Sequence, residues 1–388
     1  MIRDALLWVS NPAILLQRVG GLSVLERQLH SLGRAGLSRV WISTDRSAAA
    51  ARGLRLPPGL EIFWTDRGIT SPAECRPPYL VVSGSHFIRV ETLAHIVRGP
   101  ELRSVAFLDG QKAAVVQIVA ACGGGPASSS SQPLPEGTNI PLQHPVHNEL
   151  TLDWLMAAGI KSQDGFMARH FDRRISLAIS RALLGAPVSP NMMTLFSCLL
   201  GLAGTTFFLR HARSAHLAGA ALVWLHSVLD GCDGELARIR FQESSLGGDI
   251  DFWGDNIVHL SLFGCLGAGF ACADASVLPL FGGAAAMLGI FGSALLVYRQ
   301  RLARRRTAEP SCGGEAPRDT SGMGTTLARL EIFLEQRDFI YLLLVLAYFG
   351  HTYEFLWAGA VGALLFFFMM IYLGRANREQ SFQPHRAG

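Results

Sequence analysis

The fold of this chain is decided by the stretch Asp230-x2-Asp233-Gly234-x2-Ala237-Arg238-x8-Gly247-x3-Asp251-x3-Asp255, which interrupts otherwise apolar sequence. Positions 230, 233 and 237 share one narrow face of a helix, and 251 and 255 are one turn apart on the next helix. Each aspartate at membrane depth costs roughly 2.5–3.5 kcal/mol. We therefore expect a positive charge to hold these carboxylates, and a divalent metal ion is its simplest source.

The composition changes along the chain. Of its 388 residues, 49% are hydrophobic and 16% are charged. Residues 1–160 have the composition of a soluble domain, whereas the later sequence contains apolar blocks of roughly 20 residues, the length that spans a bilayer. The net charge is +4, and no basic stripe with interleaved aromatic residues accompanies it, so we expect no nucleic-acid partner.

Within the predicted domain 1–160, residues 1–122 alternate strand-like and helix-like segments. Ala5–Val9, Val40–Ser43 and Tyr79–Val82 are typical of buried strands, and Leu22–Leu32 is typical of a helix between them. This alternation predicts an α/β, Rossmann-like domain with a parallel sheet and flanking helices. Within it, the low-complexity stretch 123–138 is predicted to be flexible.

The second half predicts an all-α membrane domain. Residues 161–188 suit a helix in the membrane interface, because apolar and arginine side chains fall on different faces. Residues 189–376 predict six transmembrane helices, and 377–388 form a C-terminal tail. The predicted spans are Met192–Leu209, Leu217–Leu229, Phe252–Ala271, Val277–Tyr298, Phe339–Phe349 and Phe355–Leu373.

Arginine bias predicts the orientation of these spans. With six spans, the arginines at 173–181, 299–306 and 375–378 all fall on one side of the bilayer, and that side is expected to be cytoplasmic. The N-terminus carries Asp4 and Pro12 in its first apolar stretch and makes a poor signal peptide. We therefore expect a multi-pass protein of the cell inner membrane, with the N-terminal domain and the aspartate loop in the cytoplasm.

The residue types of the aspartate stretch predict its chemistry. Carboxylates without histidine or cysteine favour Mg²⁺ or Mn²⁺. Gly234 and Ala237 carry almost no side chain and would let a bulky ligand approach the helix, and Gly247 would let the loop turn or two helices meet. Arg238 offers a planar fork for phosphate oxygens. Together these features predict a pocket for a nucleotide diphosphate.

The stretch resembles the motif of the CDP-alcohol phosphotransferases at every fixed position. Further similar elements precede it, at Asp164-Gly165-Phe166, Arg169, Arg173, Pro190-Asn191 and Thr194. The string from Leu229 to Arg238 is most similar to one branch, which fuses an inositol-phosphate cytidylyltransferase to a di-myo-inositol-phosphate-phosphate synthase. The resemblance covers residues 164–375. It implies an enzyme in which an acceptor hydroxyl displaces CMP from a CDP-alcohol.

The resemblance also implies roles for individual residues. Asp230, Asp233 and Asp251 would bind two metal ions, with Asp255 as a further candidate ligand. Asp255 would also be the general base that takes the proton of the acceptor. Asn191 and Thr194 would border the nucleotide, although Asn191 is equally typical of a helix cap. Members of the family are commonly homodimers, and we carry that over as an analogy.

The acceptor site is less well defined by the sequence. Arg299, Arg337 and His259 are candidates for binding the acceptor. The positive-inside rule already explains Arg299. A lone histidine on a membrane helix, such as His259 or His226, is more often a partner in a packing hydrogen bond. Arg337 stands beside Asp338 at a predicted helix start.

The N-terminal domain resembles the sugar-phosphate nucleotidyltransferases at Val19–Arg27 and Leu32–Gly36, but with two departures. Where such enzymes have a Gly-rich loop with a basic residue, this chain reads Ser10-Asn11-Pro12-Ala13. Where a metal-binding aspartate should follow the fourth strand, it reads Ser83-Gly84-Ser85-His86. We therefore expect the fold of these enzymes without their activity. Asp109-Gly110-Gln111-Lys112 is either a remnant site or a turn between strands.

The sequence leaves the substrates open. The donor is CDP-diacylglycerol or a soluble CDP-alcohol such as CDP-inositol, and the acceptor is a polyol, an inositol phosphate or a lipid alcohol. One alternative is a bifunctional cytidylyltransferase and phosphotransferase, against which the missing Gly-rich loop argues. Another is a divalent-cation transporter that uses the aspartates as an ion path. A transporter would not need Gly234, Ala237 and Arg238.

Overall fold

The computed structural model describes residues 2–44, 54–66, 75, 77–99, 103–120, 130–143, 145–146, 148–157, 171–307 and 339–381. The chain divides into two compact units. The first comprises Met1–Ala158, Ile239–Phe241 and Glu309–Ala316, and the second comprises Gly159–Arg238, Gln242–Ala308 and Pro317–Gly388. The predicted elements at 164–166, Arg169 and Arg337 lie outside the described residues.

The first unit contains eleven described strands and four described helices. The strands are β1 (Asp4–Trp8), β2 (Arg18–Val19), β3 (Leu22–Ser23), β4 (Arg39–Ser43), β5 (Glu61–Thr65), β6 (Tyr79–Ser83), β7 (His86–Ile88), β8 (Val105–Leu108), β9 (Ala114–Val119), β10 (Ser130–Pro133) and β11 (Asn139–Pro141). The helices are α1 (Pro12–Leu15), α2 (Val24–Ala35), α3 (Val90–Arg98) and α4 (Glu149–Ala157).

A seven-stranded sheet is the centre of this unit. Its strand order is β10-β8-β9-β6-β1-β4-β5. Strands β6, β1, β4 and β5 are parallel, and β9 pairs antiparallel with both β6 and β8. Ala5, Leu6 and Leu7 of β1 are fully buried, as expected of a central parallel strand covered on both faces. The prediction of an N-terminal α/β sheet domain is therefore confirmed.

Residues with known capping roles stand at both ends of helix α2. The Ser23 hydroxyl accepts a hydrogen bond from the Glu26 N–H, and the Glu26 carboxylate accepts one from the Ser23 N–H, which forms a capping box. Gly36 ends the helix in the left-handed conformation, with φ of 103°. A residue without a side chain suits this position because a Cβ would be strained there.

One part of the predicted flexible stretch 123–138 is a strand. Ser130–Pro133 forms β10, which pairs in parallel with β8 at the edge of the sheet. All four residues are exposed. Backbone hydrogen bonds to a neighbouring strand require no apolar side chains, so a low-complexity composition did not reveal this edge strand. These four residues thus form an edge strand, while the flexibility of stretch 123–138 stays a prediction.

The second unit is helical throughout its described residues. Its helices are α5 (Arg173–Leu183), α6 (Pro190–Thr206), α7 (Arg213–Ile239), α8 (Ser245–Asp274), α9 (Leu278–Thr307), α10 (Phe339–Phe349) and α11 (Thr352–Ser381), and a 3₁₀ turn at Phe207–Leu209 follows α6. The Ser189 hydroxyl caps α6, and Pro190 occupies its first turn.

Within the described residues, four segments are long and apolar enough to cross a membrane. They are Pro190–Leu209, Ser245–Asp274, Leu278–Ala303 and Thr352–Leu373. The predicted second span falls within α7, which is not among the four, and the predicted fifth corresponds to α10, an apolar helix of 11 residues. The chain is thus a membrane protein with four candidate spans, and the count of six is not confirmed.

Close backbone contacts hold these helices together. A Cβ added to Gly267 of α8 would lie 2.9 Å from the carbonyl oxygen of Pro279 and 3.2 Å from the Cα of Gly283. One added to Gly269 would overlap the carbonyl oxygen of Phe208. Small residues at such crossings allow membrane helices to approach closely. They hold α8, one of the two helices that carry the aspartate motif, close to α9 and to the 3₁₀ turn after α6.

Candidate metal centre

Three carboxylates from two helices converge in the second unit. Asp230 and Asp233 of α7 and Asp251 of α8 each place an oxygen within 4.8 Å of the others, and we call them the aspartate trio. Asp230 is 3% exposed and Asp233 is 6% exposed. Positions 230 and 233 lie on one face of α7 because they are three residues apart, and α8 brings Asp251 to that face. The trio matches three of the four predicted metal ligands in position.

Thr194 supports the trio from a third helix. Its hydroxyl lies on α6, is 2% exposed, and donates a hydrogen bond to the Asp233 carboxylate. The sequence predicted Thr194 as a neighbour of the nucleotide, whereas the structure places it on a predicted metal ligand. A donated hydrogen bond fixes the orientation of a carboxylate and is the usual support of a ligand in a metal site.

Each of the two motif glycines lies beside a polar side chain. A Cβ at Gly234 would lie 3.1 Å from one terminal nitrogen of Arg238 and 3.5 Å from the other, so the Arg238 guanidinium lies over Gly234. A Cβ at Gly247 would lie 3.1 Å from the Asn191 side-chain oxygen. Ala237 is half-buried on α7. The space that the sequence assigned to a ligand at Gly234 is thus used by Arg238, whose position depends on the missing side chain.

Asp255 is not one of the three carboxylates that form the trio. It lies one turn after Asp251 on α8, and its Oδ1 is 3.4 Å from Nε2 of His226 on α7. The His226 side chain is 2% exposed and the Asp255 side chain 20%. The sequence favoured a packing hydrogen bond for His226, so its contact with the predicted general base was not predicted. The spacing of His226 one turn before Asp230 was the available signal.

A second buried group ties α5 to α7. The Glu235 carboxylate is fully buried and accepts hydrogen bonds from Arg173 (2.6 Å), Ser176 (2.7 Å) and Ser180 (2.7 Å). Arg173 resembled a family element, but its partner was not predicted. The two serines lie four residues apart on one face of α5, but their spacing does not say which helix that face meets.

The acceptor candidates are not brought together by the described part of the chain. Arg299 is exposed on α9, and no described hydrogen bond or ion pair joins it to the trio. The His259 ring contacts Phe339 of α10 edge to face, at 5.2 Å between centroids. Arg337 lies outside the described residues. Their roles in acceptor binding stay predictions.

The first unit has a closed polar cluster just after β6. Ser85 contacts Nδ1 of His86 at 3.3 Å, and Nε2 of His86 contacts Asp109 at 3.3 Å. The backbone N–H groups of Gln111 and Ala113 also donate to Asp109. Burial lowers the pKa of His86 although Asp109 opposes that effect. Burial raises the pKa of Asp109, but these hydrogen bonds outweigh it and the net shift is downward. Asp109 thus closes the β8–β9 turn.

Comparison with known proteins links the helical unit to one family. Residues 187–362 match the model of the CDP-alcohol phosphatidyltransferase family. The bifunctional IPC transferase and DIPP synthase of Archaeoglobus fulgidus is 40% identical over 147 residues, which cover 37% of this chain and 27% of that protein. The protein of the same description from Thermococcus kodakarensis is 39% identical over 135 residues, which cover 35% of this chain and 29% of that protein.

These matches span less than a third of each relative's length. Among solved structures, the phosphatidylinositol phosphate synthase of Mycobacterium tuberculosis with CDP-DAG bound is 20% identical. The match covers 51% of this chain and 92% of the synthase chain, with a TM-score of 0.35. A TM-score below 0.5 does not establish a common fold over that length.

Proposed function

We propose that this chain, which carries a domain of the CDP-alcohol phosphatidyltransferase family at residues 187–362, transfers a substituted phosphate group from a CDP-alcohol to an acceptor hydroxyl and releases CMP. The observation that carries the proposal is the convergence of Asp230, Asp233 and Asp251 from two helices of that domain. A set of carboxylates beside a phosphate-binding arginine is what a nucleotide pyrophosphate requires.

The donor set fits Mg²⁺ or Mn²⁺. Three carboxylates whose oxygens lie within 4.8 Å repel one another in a largely buried site, and a divalent cation offsets that repulsion. All three ligands are hard oxygens, which these cations prefer. Two ions held by the trio, with Asp255 as a further candidate ligand, would neutralise the pyrophosphate and stabilise the leaving CMP.

The residues around the trio have distinct tasks in the reaction. A carboxylate oxygen of Asp255 takes the proton of the acceptor hydroxyl. At the same time the acceptor oxygen forms its bond to the β-phosphorus. The bond from the β-phosphorus to the oxygen bridging it to CMP breaks, and CMP departs with that oxygen. Arg238, held over Gly234, binds phosphate oxygens. Asn191 and Gly247, which contact each other, border the nucleotide together with Ala237 and Thr194.

The names of the relatives favour one kind of alcohol as a substrate. Two proteins named bifunctional IPC transferase and DIPP synthase are about 40% identical to this chain over the matched segments. Their names support an inositol-type alcohol on the donor or the acceptor. CDP-diacylglycerol and CDP-inositol are both retained as donors, and polyols, inositol phosphates and lipid alcohols are retained as acceptors.

The first unit is proposed to be a nucleotidyltransferase fold without its activity. Four consecutive parallel strands, β6, β1, β4 and β5, which form one side of the sheet, support the fold. The hydroxyl and imidazole groups after β6 support the loss of metal binding, because a hydroxyl is a poor substitute for a carboxylate on Mg²⁺. Pyrophosphate release from CTP and a sugar or inositol phosphate, in a protein inactivated at Asp255, would contradict this assignment.

The arrangement in the cell is also proposed. The arginines at the end of α9 support a cytoplasmic site in the inner membrane. A homodimer follows by analogy with the family alone.

The test is CMP release by the purified protein in detergent with Mg²⁺. A panel of CDP-alcohols is combined with each class of acceptor, and CMP is measured chromatographically. Release that requires donor, acceptor and divalent cation together supports the proposal. Cation flux in proteoliposomes, with no CMP from any pair of substrates, would instead favour the transporter.

A further inference from the structure

We propose that His226 is a positioning residue for Asp255, an inference that rests on the proposed function. Nε2 of His226 lies 3.4 Å from Oδ1 of Asp255. This separation is longer than the usual 2.7–3.2 Å for a hydrogen bond to nitrogen, but catalytic hydrogen bonds commonly shorten in the substrate complex. The contact joins α7 to α8 directly beside the aspartate trio.

The His226 ring is held in place by its surroundings. The residue is 1% exposed. A Cβ at Gly201 of α6 would lie 2.8 Å from Cγ of the ring, 3.0 Å from Cδ2, and 2.9 Å from a methyl carbon of Val258. Contacts this short do not occur between real atoms, so the ring occupies space that only a glycine at 201 leaves open. Three helices therefore fix the imidazole against Asp255.

The hydrogen-bonding atoms of the ring indicate how it acts. Among the described residues, Nδ1 of His226 is buried without a hydrogen-bond partner, so the nitrogen that meets a partner is Nε2. An Nε2–H donor directed at Oδ1 fixes the rotation of the Asp255 carboxylate. The other oxygen is then presented to the acceptor hydroxyl, whose proton it receives as the new phosphorus–oxygen bond forms.

His216, a second buried histidine of α7, shows how the contact of His226 differs from ordinary packing. His216 of α7 is also buried, and its Nδ1 contacts the Thr352 hydroxyl at 2.7 Å among aromatic rings. That partner has no proposed chemical task. The partner of His226 is the proposed base, and the Asp255 side chain is 20% exposed, open enough to meet a substrate.

The experiment compares His226→Leu, which removes the donor, with His226→Gln, whose amide N–H can restore it. His216→Leu is the matched control on the same helix. Steady-state CMP release gives kcat, the donor KM and the Mg²⁺ concentration for half activity. We expect kcat to fall about 10–100-fold in His226→Leu, to recover largely in His226→Gln, and to stay within twofold in His216→Leu. The donor KM and the Mg²⁺ requirement should stay within about twofold throughout.

Gly201→Ala keeps the inference testable if His226→Leu does not fold. The added methyl must displace the ring, so kcat should fall while the histidine remains. Wild-type kcat in His226→Leu or in a folded Gly201→Ala would overturn the positioning role and leave the proposed function intact. So would equal losses in His226→Leu and His226→Gln, which indicate packing alone. A wild-type protein that releases no CMP would overturn both proposals.

Discussion

The aspartate trio concentrates negative charge from residues that differ in accessibility. Asp230 and Asp233 are almost fully buried, whereas Asp251 is half-buried. Asp233 is further fixed by the Thr194 hydroxyl. Asp251 is therefore the trio member whose replacement least disturbs the packed helices, and it gives the cleanest test of cation binding.

We expect Asp251→Asn to raise the Mg²⁺ concentration for half activity by at least about tenfold, because it removes one anionic ligand from the set. Titration of CMP release with Mg²⁺ measures this. Asp249→Asn is the control, since Asp249 lies on the same helix and pairs with Arg305 at 2.9 Å. An unchanged Mg²⁺ requirement in Asp251→Asn would remove Asp251 from the metal ligands.

Asp255 should behave differently from the trio. Its carboxylate meets His226 and is assigned to proton transfer, so Asp255→Asn should retain binding of the CDP-alcohol. Turnover should fall by about 10²–10⁴-fold, the usual contribution of a general base. Donor binding by calorimetry and single-turnover CMP release separate the two effects. Near-normal turnover in the purified variant would refute the role.

At the scale of elements, the contact between α5 and α7 depends on one buried carboxylate. Glu235 accepts three hydrogen bonds from α5, and Arg173 supplies the compensating charge at 2.6 Å. The Arg173 side chain is 12% exposed and that of Glu235 is fully buried. Removing one member of such a pair leaves a charge without compensation and costs about 3–5 kcal/mol, whereas removing both charges costs much less.

We therefore expect Arg173→Gln to lower thermal stability more than the double variant Arg173→Gln/Glu235→Gln does. In the double variant two amides can still hydrogen-bond to each other and to the serines. Arg305→Gln provides the control, because its pair with Asp249 is exposed and such pairs contribute about 0–1 kcal/mol. Unfolding of each variant in detergent gives the order. A double variant no more stable than Arg173→Gln would show that the charge balance at Glu235 is unimportant.

The sequence predicts those parts of the site that depend on spacing within one helix. Asp230 and Asp233 share a face of α7 by periodicity alone, and Asp251 and Asp255 are one turn apart on α8. The partners Glu235–Arg173 and His226–Asp255 join different helices. They depend on which faces meet after packing, which no local pattern in one chain specifies. Gly234 and Arg238 are also four residues apart on α7, but the spacing does not say that the Arg238 side chain takes the rotamer that covers Gly234.

At the scale of the whole molecule, hydropathy predicts membrane segments only where apolar sequence is uninterrupted. The four candidate spans satisfy that condition. Helix α7 is 27 residues long, but the polar residues that build the candidate site lower its hydropathy. These polar residues therefore account for the absence of α7 from the candidate spans. The α/β sheet of the first unit was predictable because buried parallel strands read as apolar runs.

The orientation of the helical unit predicts on which side of the membrane each end of α8 lies. The Arg305–Asp249 pair joins the end of α9 to the start of α8, so these neighbouring spans are antiparallel. Arginines near 299–306 should keep that end in the cytoplasm. In a cysteine-free background, Ser276→Cys, at the turn between the two spans, should react with an impermeant maleimide in intact cells. Glu243→Cys, before α8, should react only after permeabilisation. The reverse pattern would place the aspartate trio on the outer side, and labelling of both in intact cells would show that α8 does not cross the membrane.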